Sequence, residues 1–296
     1  MITVAICTYN RCESLWRTLA SLADQTSINW SQVEVIVVDN NCTDNTASVV
    51  SSFADRIPLR RVLESSQGLA NARNRALAEF RGELIIFTDD DVLLDPEWLV
   101  AYRDAFAAFP DAGFGGGSLR PLWSEGPPDW FRGEHLEFID AIIGWYELSP
   151  TTRYLELGEA GPFGASFAVR RDFVKRLGPF KADLGMRGSN LGRGEETEYF
   201  LRARRIGAKG IFIGKALCHH AVELHRLRVG ALYRYGIASG VAHRVIVDPQ
   251  ARGSLLGAAV YLVRGLYQLA LRRGDRFRQC VVNAGVQVGL RRSGPV

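Results

Sequence analysis

Cysteine is scarce in this sequence, and the cysteines that are present follow no regular spacing. Five occur among 296 residues, at Cys7, Cys12, Cys42, Cys218 and Cys280. An odd number without a Cys-x-x-Cys pair argues against a cysteine metal site and against a disulfide scaffold. The sequence therefore predicts buried free thiols in a protein of a reducing compartment.

Long apolar runs and a secretory leader are also missing. The best candidate for a span, 255–271, is interrupted by Arg264, whereas a membrane-spanning helix needs ~18 or more apolar residues without a break. Residues 1–7 have no basic segment and are too short for the apolar core of a signal peptide. We therefore expect neither a membrane span nor a leader, and a cytoplasmic location.

An excess of one sign of charge is absent as well. The formal net charge is +4, with 47% hydrophobic and 23% charged residues. This balance is that of an ordinary globular protein with a full-sized core, in one large domain or two small ones. It gives no reason to expect a nucleic-acid partner.

The glycine-rich loops of two nucleotide-binding classes are missing too. The first strand is followed by Thr-Tyr-Asn-Arg at 8–11 rather than by Gly-x-Gly-x-x-Gly, which counts against a dinucleotide-binding dehydrogenase. No loop rich in glycine and lysine lies near the N-terminus, where a nucleotidyltransferase would normally have one.

A regular alternation of strands and helices is present over the first ~115 residues. Apolar, β-branched runs at 3–7, 33–39, 59–63 and 84–88 alternate with helical patterns that include 13–25, 68–80 and 96–109. This order is typical of βαβ units, and near-continuous Val and Ile indicate strands that are buried on both faces. The sequence predicts a doubly wound α/β half with a parallel sheet.

Three consecutive carboxylates follow the strand 84–88. Ligands in open α/β sheets bind beyond the carboxyl ends of the strands, where Asp89, Asp90 and Asp91 lie. Adjacent anions raise one another's pKa, and a divalent cation relieves their repulsion. Because 95–97 already serves as the start of the next helix, the triplet has no structural duty, and we expect it to bind metal and a substrate diphosphate.

The second half of the chain carries fewer regular patterns. Residues 120–155 are rich in Pro, Gly and Trp, which fits either an ordinary loop or an aromatic wall for a sugar ring. Glu195 and Glu196 begin a predicted helix, with acids in its first turn. A short strand at 209–213 is followed by His219 and His220.

Six segments, in order and with similar spacing, resemble the motifs of the family 2 glycosyltransferases, which are inverting enzymes with the GT-A fold. They are 4–11 (VAICTYNR), 37–44 (VVDNNCTD), 68–74 (GLANARN), 87–91 (FTDDD), 194–198 (GEETE) and His220. The resemblance implies an α/β GT-A domain at 1–225, with a Rossmann-like nucleotide-binding half and a mostly parallel sheet at 1–118 and an acceptor half at 119–225. Residues 226–296 would form a helical C-terminal extension.

The resemblance also implies a nucleotide-diphospho-sugar donor, with UDP as the default nucleotide. By position, Thr8, Tyr9, Asn10 and Arg11 would line the nucleotide. Asp39 would accept the N3–H of uracil. Arg73 would lie near the diphosphate, and Asp89 and the middle aspartate, Asp90, would also belong to the donor-binding residues.

The same resemblance implies a metal site and a general base. Asp89 and Asp91 form the family's Asp-x-Asp motif for Mn²⁺ or Mg²⁺, and His220 is a candidate third ligand. The family has Glu-Asp where this chain has Glu195-Glu196, and we predict that Glu196 takes the proton from the acceptor hydroxyl, with Glu195 as the alternative.

The C-terminal segment leaves two interpretations open. Apolar residues recur at near-helical spacing over 254–271, and a later helix is predicted over 277–290. An apolar stripe beside arginines fits peripheral contact with an anionic membrane, which suits the glycan or lipid-linked acceptors of this family. The stripe also fits a contact with the catalytic domain or a seam between copies in an oligomer.

Two other functions compete with transfer of a sugar. A nucleotidyltransferase that acts on sugar phosphates also uses acids at strand ends, and a non-catalytic nucleotide-sugar binder would not need Glu196. Turnover of a nucleotide sugar with release of nucleoside diphosphate separates the three.

Overall fold

The computed structural model describes residues 1–186 and 192–292. Within these residues nine strands form one sheet, and ten α-helices accompany it. The strands are β1 (Ile2–Thr8), β2 (Val33–Asp39), β3 (Leu59–Leu63), β4 (Leu84–Thr88), β5 (Val92–Leu94), β6 (Ala112–Leu122), β7 (Arg153–Tyr154), β8 (Ser166–Arg170) and β9 (Lys209–Ala221). The helices are α1 (Cys12–Ala23), α2 (Thr46–Ser51), α3 (Leu69–Glu79), α4 (Trp98–Ala108), α5 (Glu137–Ile143), α6 (Arg171–Leu177), α7 (Glu195–Arg205), α8 (Val229–Ile246), α9 (Leu255–Ala270) and α10 (Gly274–Gly289).

The sheet has the order β3-β2-β1-β4-β8-β6-β9-β5, with β7 paired to β9. Strands β3, β2, β1 and β4 are mutually parallel, as the sequence predicts, whereas β8 and β5 run antiparallel to their neighbours. Thr8 lies opposite Asp39, and Ile6 lies opposite Thr88. The carboxyl ends of the first, second and fourth strands therefore meet at one edge.

The first strands are buried on both faces, which explains their continuous apolar sequences. All seven residues of β2 are buried, and alternate residues enter two different core clusters. Val35 and Val37 pack with Leu15 and Leu19 of α1, while Ile36 and others of its face pack with the small side chains of α3. Because successive side chains of a strand point to opposite faces of the sheet, each of these strands packs against helices on both faces.

The chain separates into two compact units. Unit 1 consists of Met1–Leu122, Gly144–Ala182 and Glu196–Ala221. Unit 2 consists of the described parts of 123–143, 183–195 and 222–296. The domain boundaries at 118 and 225 stay a prediction. Two segments lie outside the described residues: 187–191 of the predicted acceptor half and 293–296 of the predicted C-terminal extension.

Unit 2 contains α8, α9 and α10. The first and last of these approach closely through glycines spaced four apart, Gly236 and Gly240 against Gly285 and Gly289. A Cβ on Gly236 would lie 2.1 Å from the Val282 carbonyl oxygen, so only glycine permits this contact. None of the described helices combines the length and the hydropathy that a membrane-spanning segment needs.

Several expectations from the sequence are wrong in detail. The apolar stripe of α9, for which the sequence left two interpretations open, is exposed, with Leu256 at 76% and Val263 at 66%, so the described residues do not cover it. The strand predicted at 209–213 continues to Ala221, and β5 and α5 were not predicted. The five cysteines are free, but only Cys218 is fully buried.

Candidate active site

The loops that follow β1 and β2 are tied together at the carboxyl edge of the sheet. Asn10, in the left-handed region with φ 52°, accepts a hydrogen bond from the Thr43 amide at 2.7 Å. Asp44 accepts one from the Cys12 amide at 2.8 Å and another from Thr46 Oγ1 at 2.6 Å. These bonds hold the predicted nucleotide-binding loop, 8–11, beside the loop that follows β2.

Two of the three aspartates are held by the loop after β1. Thr8 Oγ1 donates to Asp90 Oδ2 at 2.7 Å. Arg11 Nη1 donates to Asp91 Oδ2 at 2.6 Å and to Asp90 Oδ1 at 3.2 Å. Both carboxylates are buried, and these partners offset the cost of their charges. Tyr9, in the same loop, is exposed.

Asp89, Asp91 and His220 form one cluster of potential metal ligands. One ligand atom of each lies within 4.8 Å of the others, and His220 Nε2 is 3.6 Å from Asp91 Oδ1. The pairing of β5 with β9 causes this, because Val92 lies opposite His220. The predicted third ligand is therefore beside the aspartates, whereas His219 is not part of the cluster.

The electrostatics of the triplet favour a bound cation. Burial and the charge of Asp91 raise the pKa of Asp89, although 34% of its side chain is accessible. Burial and the same neighbour raise the pKa of Asp90 to about 7, against the opposing effects of Arg11 and Thr8. Ionised carboxylates are crowded here at a cost that a divalent cation would relieve.

Arg73 on α3 links the aspartates to the acidic start of α7. Its buried guanidinium lies 3.9 Å from Asp89 Oδ1 and 3.7 Å from Glu196 Oε2. The guanidinium carbon is 5.4 Å from the ring centre of Phe167 and 5.7 Å from that of Phe180. Cation–π contacts thus stabilise the buried charge of Arg73. The same guanidinium lies close to an acid of the aspartate triplet, Asp89, and to an acid of α7, Glu196.

Gly164, which was not predicted as a site residue, makes room for this arrangement. A Cβ at this position would lie 2.6 Å from Arg73 Nη2 and 3.2 Å from Glu196 Oε1. The residue keeps the space between the arginine and the glutamate open. The only signal in the sequence was the run of small residues before β8, which also fits ordinary packing.

The two glutamates that begin α7 differ in their surroundings. Glu196 lies beside Arg73, and 25% of its side chain is accessible. Glu195 is buried, and a Cβ on Gly185 would lie 2.9 Å from its carboxyl carbon, so this carboxylate packs against backbone. Of the two candidate bases, Glu196 is the one beside Arg73, which also contacts Asp89.

Asp39, at the end of β2, is buried and has two protein partners. It accepts a hydrogen bond from the Cys42 amide at 2.8 Å, and Arg61 Nε lies 3.2 Å from its other oxygen. Arg61 on β3 was not predicted near the site. The parallel pairing of the two strands could have indicated it, because their carboxyl ends meet at the same edge. A contact of Asp39 with a nucleobase stays a prediction.

The sequence matches one family model over more than half of its length. Residues 3–178 match the model described as Glycosyl transferase family 2. The chain is 27% identical over 303 residues to the succinoglycan biosynthesis protein ExoM of Rhizobium meliloti, covering 98% of this chain and 92% of that protein. It is 23% identical over 256 residues to the glucosyl-dolichyl phosphate glucuronosyltransferase of Haloferax volcanii, covering 84% and 79% respectively.

Solved structures share the fold. The mannosyltransferase PcManGT from Pyrobaculum calidifontis, in complex with GDP-Man and Mn²⁺, has a TM-score of 0.62 at 22% identity, over 98% of this chain and 86% of that chain. S. aureus TarS 1-349, in complex with UDP-GlcNAc, has a TM-score of 0.59 at 15% identity, over 95% and 90%. The predicted α/β GT-A fold is confirmed. The chain belongs to glycosyl transferase family 2 and is an enzyme of the hexosyltransferase type.

Proposed function

We propose that this enzyme transfers a hexosyl group from a nucleoside diphosphate sugar to a hydroxyl group, with inversion and with the aid of a divalent cation. The observation that carries the proposal is the gathering of Asp89, Asp91 and His220 beside Arg73, which in turn contacts Glu196. One side of this group offers metal ligands, and the other offers a carboxylate for proton transfer.

The donor set fits Mn²⁺ or Mg²⁺. Carboxylate oxygens suit both ions, whereas an imidazole nitrogen is a ligand more typical of transition metals than of Mg²⁺. Two ligand atoms that are each about 2.0–2.2 Å from the same ion lie at most roughly 4.4 Å apart. The three candidate ligand atoms lie within 4.8 Å of one another, which is close to that limit. A cation held there would neutralise the leaving diphosphate.

The residues of the chain supply the remaining steps. Arg73 orients Glu196 and places positive charge where the diphosphate leaves. The Glu196 carboxylate accepts the proton of the acceptor hydroxyl. At the same time the hydroxyl oxygen of the acceptor attacks the anomeric carbon of the donor, and the bond from that carbon to the diphosphate oxygen breaks. Arg11 and Thr8 hold Asp90 and Asp91 in place.

The donor and acceptor are proposed by chemical class. A UDP-sugar is the first donor to test, because Asp39 at the end of β2 can accept the N3–H of uracil. A GDP-sugar is the second, since a protein of similar fold binds GDP-Man. A glycan or lipid-linked acceptor is supported by the names of the two relatives, which specify succinoglycan biosynthesis and a dolichyl phosphate glycoside.

The test is a screen of UDP- and GDP-sugars with Mn²⁺, with Mg²⁺ and with EDTA, in the presence of simple glycoside acceptors. We expect one donor to release nucleoside diphosphate only when the cation is present, and the product to have the inverted anomeric configuration. Unchanged release in EDTA would contradict the metal dependence. Binding without turnover would indicate a nucleotide-sugar binder, and pyrophosphate release from a nucleoside triphosphate would indicate a nucleotidyltransferase.

A further inference from the structure

Helix α9 presents its apolar residues outwards. Its most exposed side chains include Leu256 at 76%, Val263 at 66%, and Leu266 and Tyr267 at 63% each. The less exposed face carries small or polar residues instead, namely Gly257, Ala258, Tyr261, Gly265 and Gln268. This arrangement is the reverse of a helix that packs on a core.

The exposed apolar face is continuous. At about 100° per residue, the exposed positions span an arc of roughly 200° on the helix. The large apolar residues of this arc are Leu255, Leu256, Val260, Leu262, Val263, Leu266, Tyr267, Leu269 and Leu271. A contiguous apolar surface of this kind marks an interaction site rather than ordinary solvent exposure.

The charges within the segment that contains α9 have one sign. The segment 249–274 contains four arginines and no aspartate or glutamate. Arg252 precedes the helix, Arg264 lies on it, and Arg272 and Arg273 follow it. At the N-terminal end, Arg252 also lines a cavity of about 260 Å³ with two further arginines, at 244 and 291. An apolar face with cationic ends is complementary to a surface that is apolar and carries phosphates.

A second copy of the chain is a poorer partner for this face. A twofold dimer brings the same patch of both copies together, so arginines would meet arginines without a carboxylate in the segment to pair with them. The helix also does not cross a bilayer. Its 16 residues extend about 24 Å, less than the hydrocarbon thickness of about 30 Å.

We propose that α9 is an in-plane membrane anchor. Its outward apolar face lies in the interface of a bilayer that contains anionic lipid, and the arginines at its ends contact lipid phosphates. The anchor goes beyond the transfer reaction, because it requires neither the donor nor the metal.

The test is co-sedimentation of the full chain with liposomes, in EDTA and without nucleotide sugar. We expect binding to vesicles of phosphatidylcholine with phosphatidylglycerol and much weaker binding to phosphatidylcholine alone. The triple variant Leu256→Ser, Val263→Ser and Leu266→Ser should bind at least about tenfold more weakly, because it loses exposed apolar surface. Since the three side chains are exposed, the fold should be kept, which circular dichroism checks.

A matched control replaces three exposed apolar residues outside α9: Leu157→Ser, Ile206→Ser and Leu224→Ser. This variant should bind vesicles like the wild type. Equal loss in both triple variants, or no sedimentation of the wild type at low salt, would overturn the anchor. A dimer in analytical ultracentrifugation that only the α9 variant abolishes would assign the face to self-association and also overturn it. None of these outcomes bears on turnover of a soluble donor and acceptor, which is assayed separately.

Discussion

At the scale of single residues, the candidate chemistry depends most on Arg73. Its guanidinium stays charged at any working pH, and it lies between carboxylates that come from distant parts of the sequence, Asp89 and Glu196. Without this cation, the acids would repel one another as well as the diphosphate. Its position is fixed by aromatic rings on one side and by the missing Cβ of Gly164 on the other.

Replacement of Gly164 by alanine should therefore lower kcat more than it lowers the affinity for the donor. The new methyl group would displace Arg73 and Glu196. A misplacement of about 1 Å near the reacting atoms costs about 10²-fold in kcat. Gly161→Ala is the matched control, because its Cβ would meet Phe200 at an ordinary 3.4 Å. Steady-state kinetics of the two variants provide the check, and equal kcat values would show that Gly164 is not needed for the arrangement.

The raised pKa of Asp90 predicts how the stability of the metal-free protein depends on pH. The carboxyl has a pKa of about 7 in the folded protein against an ordinary value of 3.8. As pH falls from about 8 to about 5, the folded state binds this proton before the unfolded chain does, so the free energy of unfolding increases. In EDTA, Tm should therefore rise more in the wild type than in Asp90→Asn. The same change of Tm in both proteins would contradict the raised pKa.

At the scale of elements, the short antiparallel pair of β5 and β9 completes the cluster. β5 has only three residues, Val92–Leu94, which is too short for a pattern of alternating burial to reveal it in the sequence. The position of His220 beside Asp91 could therefore be expected from the family resemblance but not from periodicity. Gly144, which lies between β5 and β9 in the chain, packs against the imidazole of His220.

Gly144→Ala should weaken metal binding selectively. Gly144 has φ +68°, and an added Cβ would lie 2.7 Å from His220 Cγ, so the imidazole must move. Displacing this candidate ligand should reduce Mn²⁺ affinity roughly 10–100-fold, as loss of a supporting contact does in other metal sites. Isothermal titration with Mn²⁺ measures the effect.

Gly207→Ala serves as the control for backbone strain alone, because its φ is +76° and no atom lies within 4 Å of the added Cβ. Both variants should lose some stability, but only Gly144→Ala should lose metal affinity. Equal affinities in the two variants would show that His220 is not a ligand.

At the scale of the whole molecule, the sequence was sufficient to predict the features that have a local pattern. Continuous apolar strands and the carboxylates that follow them were sufficient to place Asp39 and the aspartate triplet at one edge of a parallel sheet. The remainder depends on long-range pairing that no local pattern contains. Examples are the contact of Arg73 with Glu196 and the outward orientation of the α9 stripe, whose periodicity is the same whether it faces core or solvent.

The most direct test of metal-dependent transfer with Glu196 as the base is the rate of nucleoside diphosphate release in Mn²⁺, measured with donor affinity for Glu196→Gln and Asp91→Asn. We expect Glu196→Gln to bind the donor like the wild type and to turn it over roughly 10²–10⁴-fold more slowly, since only proton removal is lost. Asp91→Asn should lose both metal-dependent donor binding and turnover. Wild-type turnover by either variant, or an inactive Glu195→Gln beside an active Glu196→Gln, would contradict the assignment.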